Sequence, residues 1–193
     1  MKIKSFFLII ILFLGCSGNK EQNNKLIKAI EDGNINKVKK AVQNGANVNV
    51  KNILGMPAIQ TAARWGHLKI IKYLISKGAD VNAKDNGNST ALMFSISKQN
   101  KELIEVLLKN KAKVNGFNKD GHSPLILSVF TRNIEIVKLL LKYGANPELK
   151  NNEGHTALMV SIFGDEKEIC KLLTESKKGI DIQDKSGHTA LHY

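Results

Sequence analysis

The chain has 193 residues, 29 Lys plus Arg against 17 Asp plus Glu, and 42% apolar residues, enough for one domain, or two small ones, with a buried core. The formal charge of +12 favours anionic surroundings. Two cysteines, Cys16 and Cys170, cannot build a disulfide framework or a structural zinc site alone, three prolines exclude a proline-rich linker, and there is no glycine-rich phosphate loop.

The chain opens MKIKSFFLIIILFLG, residues 1–15. Lys2 and Lys4 make a positive head before nine apolar residues, Phe6 to Leu14. A membrane-spanning helix needs ~20 apolar residues, so this run predicts a secretory signal peptide rather than a span. Phe13-Leu14-Gly15-Cys16 resembles a bacterial lipobox, which implies lipidation of Cys16 and attachment to the cell envelope. Phe13 departs from the smaller aliphatic usual there, so cleavage with soluble periplasmic or secreted release stays open. Ser17, not Asp, after the cysteine favours the outer membrane over the inner in the lipoprotein pattern, for a chain on the outer membrane or the periplasmic face.

Residues 16–23 then read as a lipidated tether, of which the seven from Ser17 to Asn23 reach at most ~25 Å. Without the leader, 27 Lys plus Arg face 17 Asp plus Glu, a net +10. Lys20, Lys25, Lys28, Lys37, Lys39 and Lys40 lie nearest the tether and form a patch suited to anionic lipid. The abundance of Lys, Asn and Ile throughout the chain offers a compositional origin for the same patch.

From residue 24 onward one period dominates. Leu26, Ile59, Leu92, Leu125, Leu158 and Leu191 stand 33 apart, as do Ala29, Ala62, Ser95, Ser128 and Ser161. Val38, Ile71, Ile104, Val137 and Cys170 form a third column, Ala46, Ala79, Ala112 and Ala145 a fourth, and Val48, Val81 and Val114 a fifth. Such self-similarity marks a stack of repeats. Within each unit, Ile70, Ile71, Leu74 and Ile75, or Leu103, Ile104, Leu107 and Leu108, follow helical spacing. Pro57, Ser123, Thr156 and Thr189 suit helix starts, and Gly45, Gly78 and Gly144 suit helix ends. Each unit is predicted to be helix, turn, helix and hairpin-like loop.

The stretches GHLKIIKYLISKGADVNAKD (66–85), DGHSPL (120–125), IEIVKLLLKYGANPELK (134–150), EGHTALM (153–159) and SGHTALH (186–192) resemble ankyrin repeats over residues 22–193. The resemblance implies an all-α ankyrin-repeat solenoid over 24–193, with about five complete units and a sixth cut off at its first helix. The first unit is degenerate. Lys111 stands where the third unit should have a helix-ending glycine, and Gly179 comes two residues late in the fifth, which predicts a longer second helix or a bulged turn there.

His122, His155 and His188 recur every 33 residues. Equivalent atoms of adjacent units lie ~8–10 Å apart, against about 2.0–2.1 Å from zinc to a histidine nitrogen, and no Cys or carboxylate column joins them. They read as exposed loop-tip residues. The resemblance gives His67 and His192 turn-stabilising roles, and Cys170 reads as a small buried hydrophobe. No HExxH, GxSxG or CxxC pattern occurs. The expectation is a non-enzyme with no cofactor, no metal, no small-molecule substrate and no nucleic-acid partner.

The resemblance also implies a concave face, made by hairpin tips and the exposed side of each first helix, that binds protein. Its positions are Ile53, Leu54, Met56, Arg64 and Trp65 in the second unit, and Ser89, Ser97 and Lys98 in the third. In the fourth they are Lys119, Asp120, His122, Phe130 and Thr131, and in the fifth Asn152, Glu153, His155 and Phe163. Exposed Trp and Arg are favoured contact residues, and an apolar patch marks an interaction site; the competing reading tucks these rings between helices. The sequence thus predicts an envelope-anchored protein-binding scaffold, with a rival: a structural or stress-protective envelope component acting through its basic surface.

Overall fold

The computed structural model describes residues 19–176 and 178–193. The leader over 1–15, Cys16 and Ser17 lie outside the described residues. Residues 19–23, expected in the tether, are helical and belong to α1, described over 19–31. An i,i+4 ion pair, Lys25 to Glu21 at 2.6 Å, supports this helix, and the Asn23 side chain accepts a bond from the Asn47 N–H at 2.8 Å.

Nine more helices follow in the described residues: α2 (Ile35–Gln43), α3 (Ala58–Arg64), α4 (Leu68–Ser76), α5 (Ala91–Ser97), α6 (Lys101–Lys109), α7 (Pro124–Phe130), α8 (Ile134–Lys142), α9 (Ala157–Phe163) and α10 (Lys167–Glu175). A 3-10 turn, Ala190–His192, opens a sixth unit. The described residues hold no strand, only one isolated bridge from Lys51 to Pro57. The architecture is an all-α ankyrin solenoid.

Caps set the helix starts. Thr90, Ser123 and Thr156 accept at Oγ from the N–H of Met93, Ile126 and Met159, and Asn34, Asn100 and Asn133 cap the second helices in the same way. Each such side chain satisfies one orphan helix donor. The turn between the helices of a pair is left-handed at Gly33, Gly66, Gln99, Arg132 and Asp165 (φ +53° to +73°). Three non-glycines therefore hold a conformation unfavourable by roughly 1–2 kcal/mol. Lys111 does the same in the missing-glycine position, at φ +64°.

The repeating columns become the core. Leu26, Ile59, Leu92, Leu125 and Leu158 are buried, as are Val38, Ile71, Ile104 and Val137. Burying each such side chain contributes ~1.5–3 kcal/mol. Ser95, Ser128 and Ser161 stay buried because each hydroxyl donates to a carbonyl of its own helix, at 2.7–2.8 Å. Two column members depart. Leu191 is 83% exposed, and Cys170 is half-buried.

From the second unit to the fifth the first helices are two residues shorter than the second and carry the small-residue column, and successive first helices pack more closely than successive second helices. Between units, asparagines 33 residues apart form a ladder: Asn49, Asn82 and Asn115 each accept from a backbone N–H of the next loop, Asp80, Lys113 and Asn146, at 2.7–2.8 Å. In the fifth unit α10 keeps nine residues, so the late Gly179 is absorbed by the turn and not by a longer helix. Gly179 sits at φ +77°, and a Cβ there would lie 3.2 Å from the Pro147 carbonyl oxygen.

Candidate partner-binding face

Every hairpin is closed by one reciprocal clamp. Asn52, Asp85, Asn118, Asn151 and Asp184, again 33 apart, each accept at Oδ1 from the N–H four residues on, that of Met56, Ser89, His122, His155 and His188 (2.8–3.0 Å). The carbonyls of those same residues accept from the backbone N–H of the clamp residue at 2.8–3.2 Å. Short polar side chains favour this local closure. It fixes which way the hairpin arms face.

Tip residues between the arms point away from the core: Ile53 is fully exposed and Leu54 largely so. Much of the returning arm is turned inward, which corrects two expectations. Met56 is 7% exposed, so little of it is open to a partner. His188 is exposed, whereas His122 and His155 are half-buried and not loop tips. Their rings stand edge-on to Phe130 and Phe163, with centroids 5.2 and 4.9 Å apart, an arrangement aromatic quadrupoles favour. These contacts put hairpin and first-helix ends on one face.

Arg64, Ser97, Phe130 and Phe163 end the four seven-residue helices, and Trp65, Lys98, Thr131 and Gly164 follow them. Because these positions recur at the period, they line up along the stack. Trp65 is 58% exposed, Phe130 54% and Phe163 49%, and Arg64, Ser97 and Lys98 are exposed. The rings are neither swallowed nor free: Phe130 and Phe163 each pack against a histidine and, like Trp65, keep about half their surface open to solvent. At the tips Lys119, Asp120, Asn152 and Glu153 are exposed, and Ser89 and Thr131 are half-buried.

Between Phe130 and Phe163 lies a cleft of about 330 Å³ floored by Val129 and Val160. Arg132 and Glu166 pair across one rim at 2.9 Å, and His155 and Glu153 approach to 3.2 Å at the other. These lining residues escape a reading column by column, because Arg132 and Glu166 are one period plus one apart. Tyr193 covers the far side of Phe163, with centroids 4.6 Å apart, and its hydroxyl donates to Asp184 Oδ2 at 2.5 Å. That bond, helped by the N–H groups of His188 and Ser186, holds the Asp184 carboxyl at about 2 against the opposing effect of burial, and it raises the Tyr193 hydroxyl. Asp184 is thus a fixed negative charge at the end of the face.

His192 accepts at Nδ1 from the Thr189 N–H at 3.1 Å, the turn-stabilising role expected of it. His67 instead lies over Gly33, and its Nε2 is buried without a partner. Among the described residues no three His, Cys, Asp or Glu side chains converge in a metal-holding group, and no helix is long and apolar enough to cross a membrane.

The family model for ankyrin repeats (3 copies) matches residues 4–85, 84–151 and 143–193. The chain belongs to the ankyrin-repeat family. Ankyrin repeats generally mediate protein–protein interaction, and ankyrin-repeat proteins are typically non-enzymatic. No curated protein matches this ankyrin chain significantly.

Proposed function

We propose that this ankyrin stack is a non-enzymatic scaffold of the bacterial cell envelope, tethered through a lipid on Cys16, that captures a protein partner on its first-helix face. The observation that carries the binding face is the row of half-exposed rings, Trp65, Phe130 and Phe163, on helices whose own cores are full. Solvent-facing polar residues would serve the fold equally well at these positions, and large exposed apolar side chains gathered on one face mark interaction sites. Arg64, Lys98, Ile53 and Leu54 extend the row. A preformed surface of this kind loses little ordering entropy on association. The tether rests on the leader and its lipobox-like end.

A photo-crosslinking residue placed at Trp65, Lys98 or Thr131 in intact cells is expected to trap one protein species, while the same residue at Lys72, Lys109 or Lys138 on the second helices traps none. Trp65→Ala with Phe130→Ala is expected to abolish the adduct formed from Lys98 with helical circular dichroism unchanged. Adducts from the second helices alone would overturn the face. Mass spectrometry of the purified chain tests the tether: a diacylglyceryl mass on a peptide beginning at Cys16 is expected, and a chain without it would refute the anchor.

A further inference from the structure

Charge is divided unequally along the stack. Over residues 19–116 there are 17 Lys plus Arg against 7 Asp plus Glu; over 117–193 there are 10 against 10. The net +10 outside the leader therefore belongs wholly to the half contiguous with the apolar run Phe6–Leu14, while the other half is neutral. A charge asymmetry of this kind points to an anionic partner on one half of a molecule.

Within the basic half the lysines converge. A groove of about 360 Å³ runs between α1 and α2, floored by Ala29 and Ala41 and rimmed by Lys25, Lys28, Lys37 and Lys40. All four lysines are exposed. Asp32 is the carboxylate on its lining, and Lys25 also pairs with Glu21; among the described residues Lys28, Lys37 and Lys40 have no ion-pair partner. Leu26, Ile30 and Val38 of the same two helices are buried in the stack, so the lysines occupy the stripe beside the one that holds the next unit. The groove thus belongs to the first unit, the one next to the leader in sequence.

We propose that this end of the stack docks on an anionic phospholipid bilayer, with Lys25, Lys28, Lys37 and Lys40 contacting headgroup phosphates. The rings of the partner face lie on the first helices further along the chain, so docking of the first unit leaves them open. A bilayer is the occupant chosen here because the apolar leader run joins the chain on this side and the whole excess charge lies in the half that adjoins it. Lysines next to an anionic surface each contribute about fivefold to binding. The inference stands on charge distribution and does not require Cys16 to carry a lipid.

The test is co-sedimentation of the full chain with vesicles of phosphatidylcholine alone and of phosphatidylcholine with about one-third phosphatidylglycerol. Comparing the two compositions removes the leader's own apolar contribution. The wild-type chain is expected to gain on the order of 100-fold in partitioning from phosphatidylglycerol, and to lose that gain in high salt. Lys→Gln at positions 25, 28, 37 and 40 together is expected to remove most of the gain, while Lys→Arg at the same four positions keeps it. Lys→Gln at 138, 142, 167 and 171, a set of equal size in the neutral half, is expected to leave it within twofold. Equal losses from the two glutamine sets, or no gain from phosphatidylglycerol, would overturn the proposal. Capture of a single-stranded oligonucleotide in place of that gain would also overturn it and favour a nucleic-acid partner. No protein partner enters this readout, so its failure leaves the first-helix face untouched.

Discussion

The middle junctions and the last one are held by different means. From the first unit to the fourth, loops are cross-linked by the Asn49, Asn82 and Asn115 ladder, each rung also bound by a local turn or a second amide bond: Asn49 donates its N–H to Asn47 Oδ1 at 2.9 Å, and Asn82 and Asn115 donate to the Lys111 and Gly144 carbonyls at 3.1 Å. The next rung would be residue 148, and it is glutamate. There the backbone itself approaches, with Gly179 against Pro147 and Glu148, and the last loop is held from its far end by Asp184, Tyr193 and Phe163. A linear stack is as stable as its units and junctions in sequence, so the two regions should respond differently to the same kind of change.

The largest contrast is in one column. Leu125, 1% exposed in the middle of the stack, and Leu191, 83% exposed at its end, are equivalent by register. Leu125→Ala is expected to destabilise by about 2–5 kcal/mol, and Leu191→Ala by less than about 0.5 kcal/mol, read from urea unfolding. Similar midpoints for the two variants would mean that the repeat register does not set burial.

The contrast also shows what was legible. Columns of Leu, Val and Ala at 33-residue spacing gave the stacking core, because a solenoid buries the same position in each unit. The exposed ends of first helices, Arg64, Trp65, Lys98, Phe130 and Phe163, came from the ankyrin resemblance and not from the spacing itself. One column is less uniform than its register suggests. Met56, His122 and His155 stand just before a helix cap, in what looks like a polar hairpin, yet they are at least half-buried, whereas His188, with the same clamp, is exposed as expected. The clamp closes every hairpin alike; what draws His122 and His155 in is the ring eight residues on, Phe130 or Phe163, a pairing that hydropathy does not weigh. Gly179 was ambiguous for a similar reason: spacing locates an extra residue but does not say whether helix or turn absorbs it.

A middle-sized effect is expected on the ladder. Asn82→Ala removes a bridge that accepts from the Lys113 N–H and donates to the Lys111 carbonyl, at an expected cost of about 1–2 kcal/mol. The reverse change at the last junction, Glu148→Asn, restores the residue type of the ladder opposite the Gly179 N–H and is expected to stabilise by about 0.5–1 kcal/mol. Hydrogen exchange of the loops after α6 and α10 separates the effects: the first should speed up in N82A, the second slow in E148N. If E148N leaves the last loop unchanged, close backbone approach at Gly179 already does what the asparagine does elsewhere.

The smallest effect at neutral pH concerns the device that replaces the ladder, and its signature is acid dependence. Asp184 has its folded carboxyl depressed to about 2 from 3.8, first by the Tyr193 hydroxyl. A depressed carboxyl pKa contributes stability that is complete above about pH 4 and is lost as pH falls toward 2. Tyr193→Phe removes the main donor while the Ser186 and His188 N–H groups remain, so the carboxyl should titrate higher, between 2 and 3.8. The variant's last loop should then be looser than wild type at neutral pH, and the two should converge as pH drops below about 2. Carbon-detected NMR titration of the Asp184 side chain reads the shift directly. An unchanged midpoint in Y193F would assign the depression to the backbone donors alone, leaving the last loop held by the same kind of hairpin clamp as every other unit.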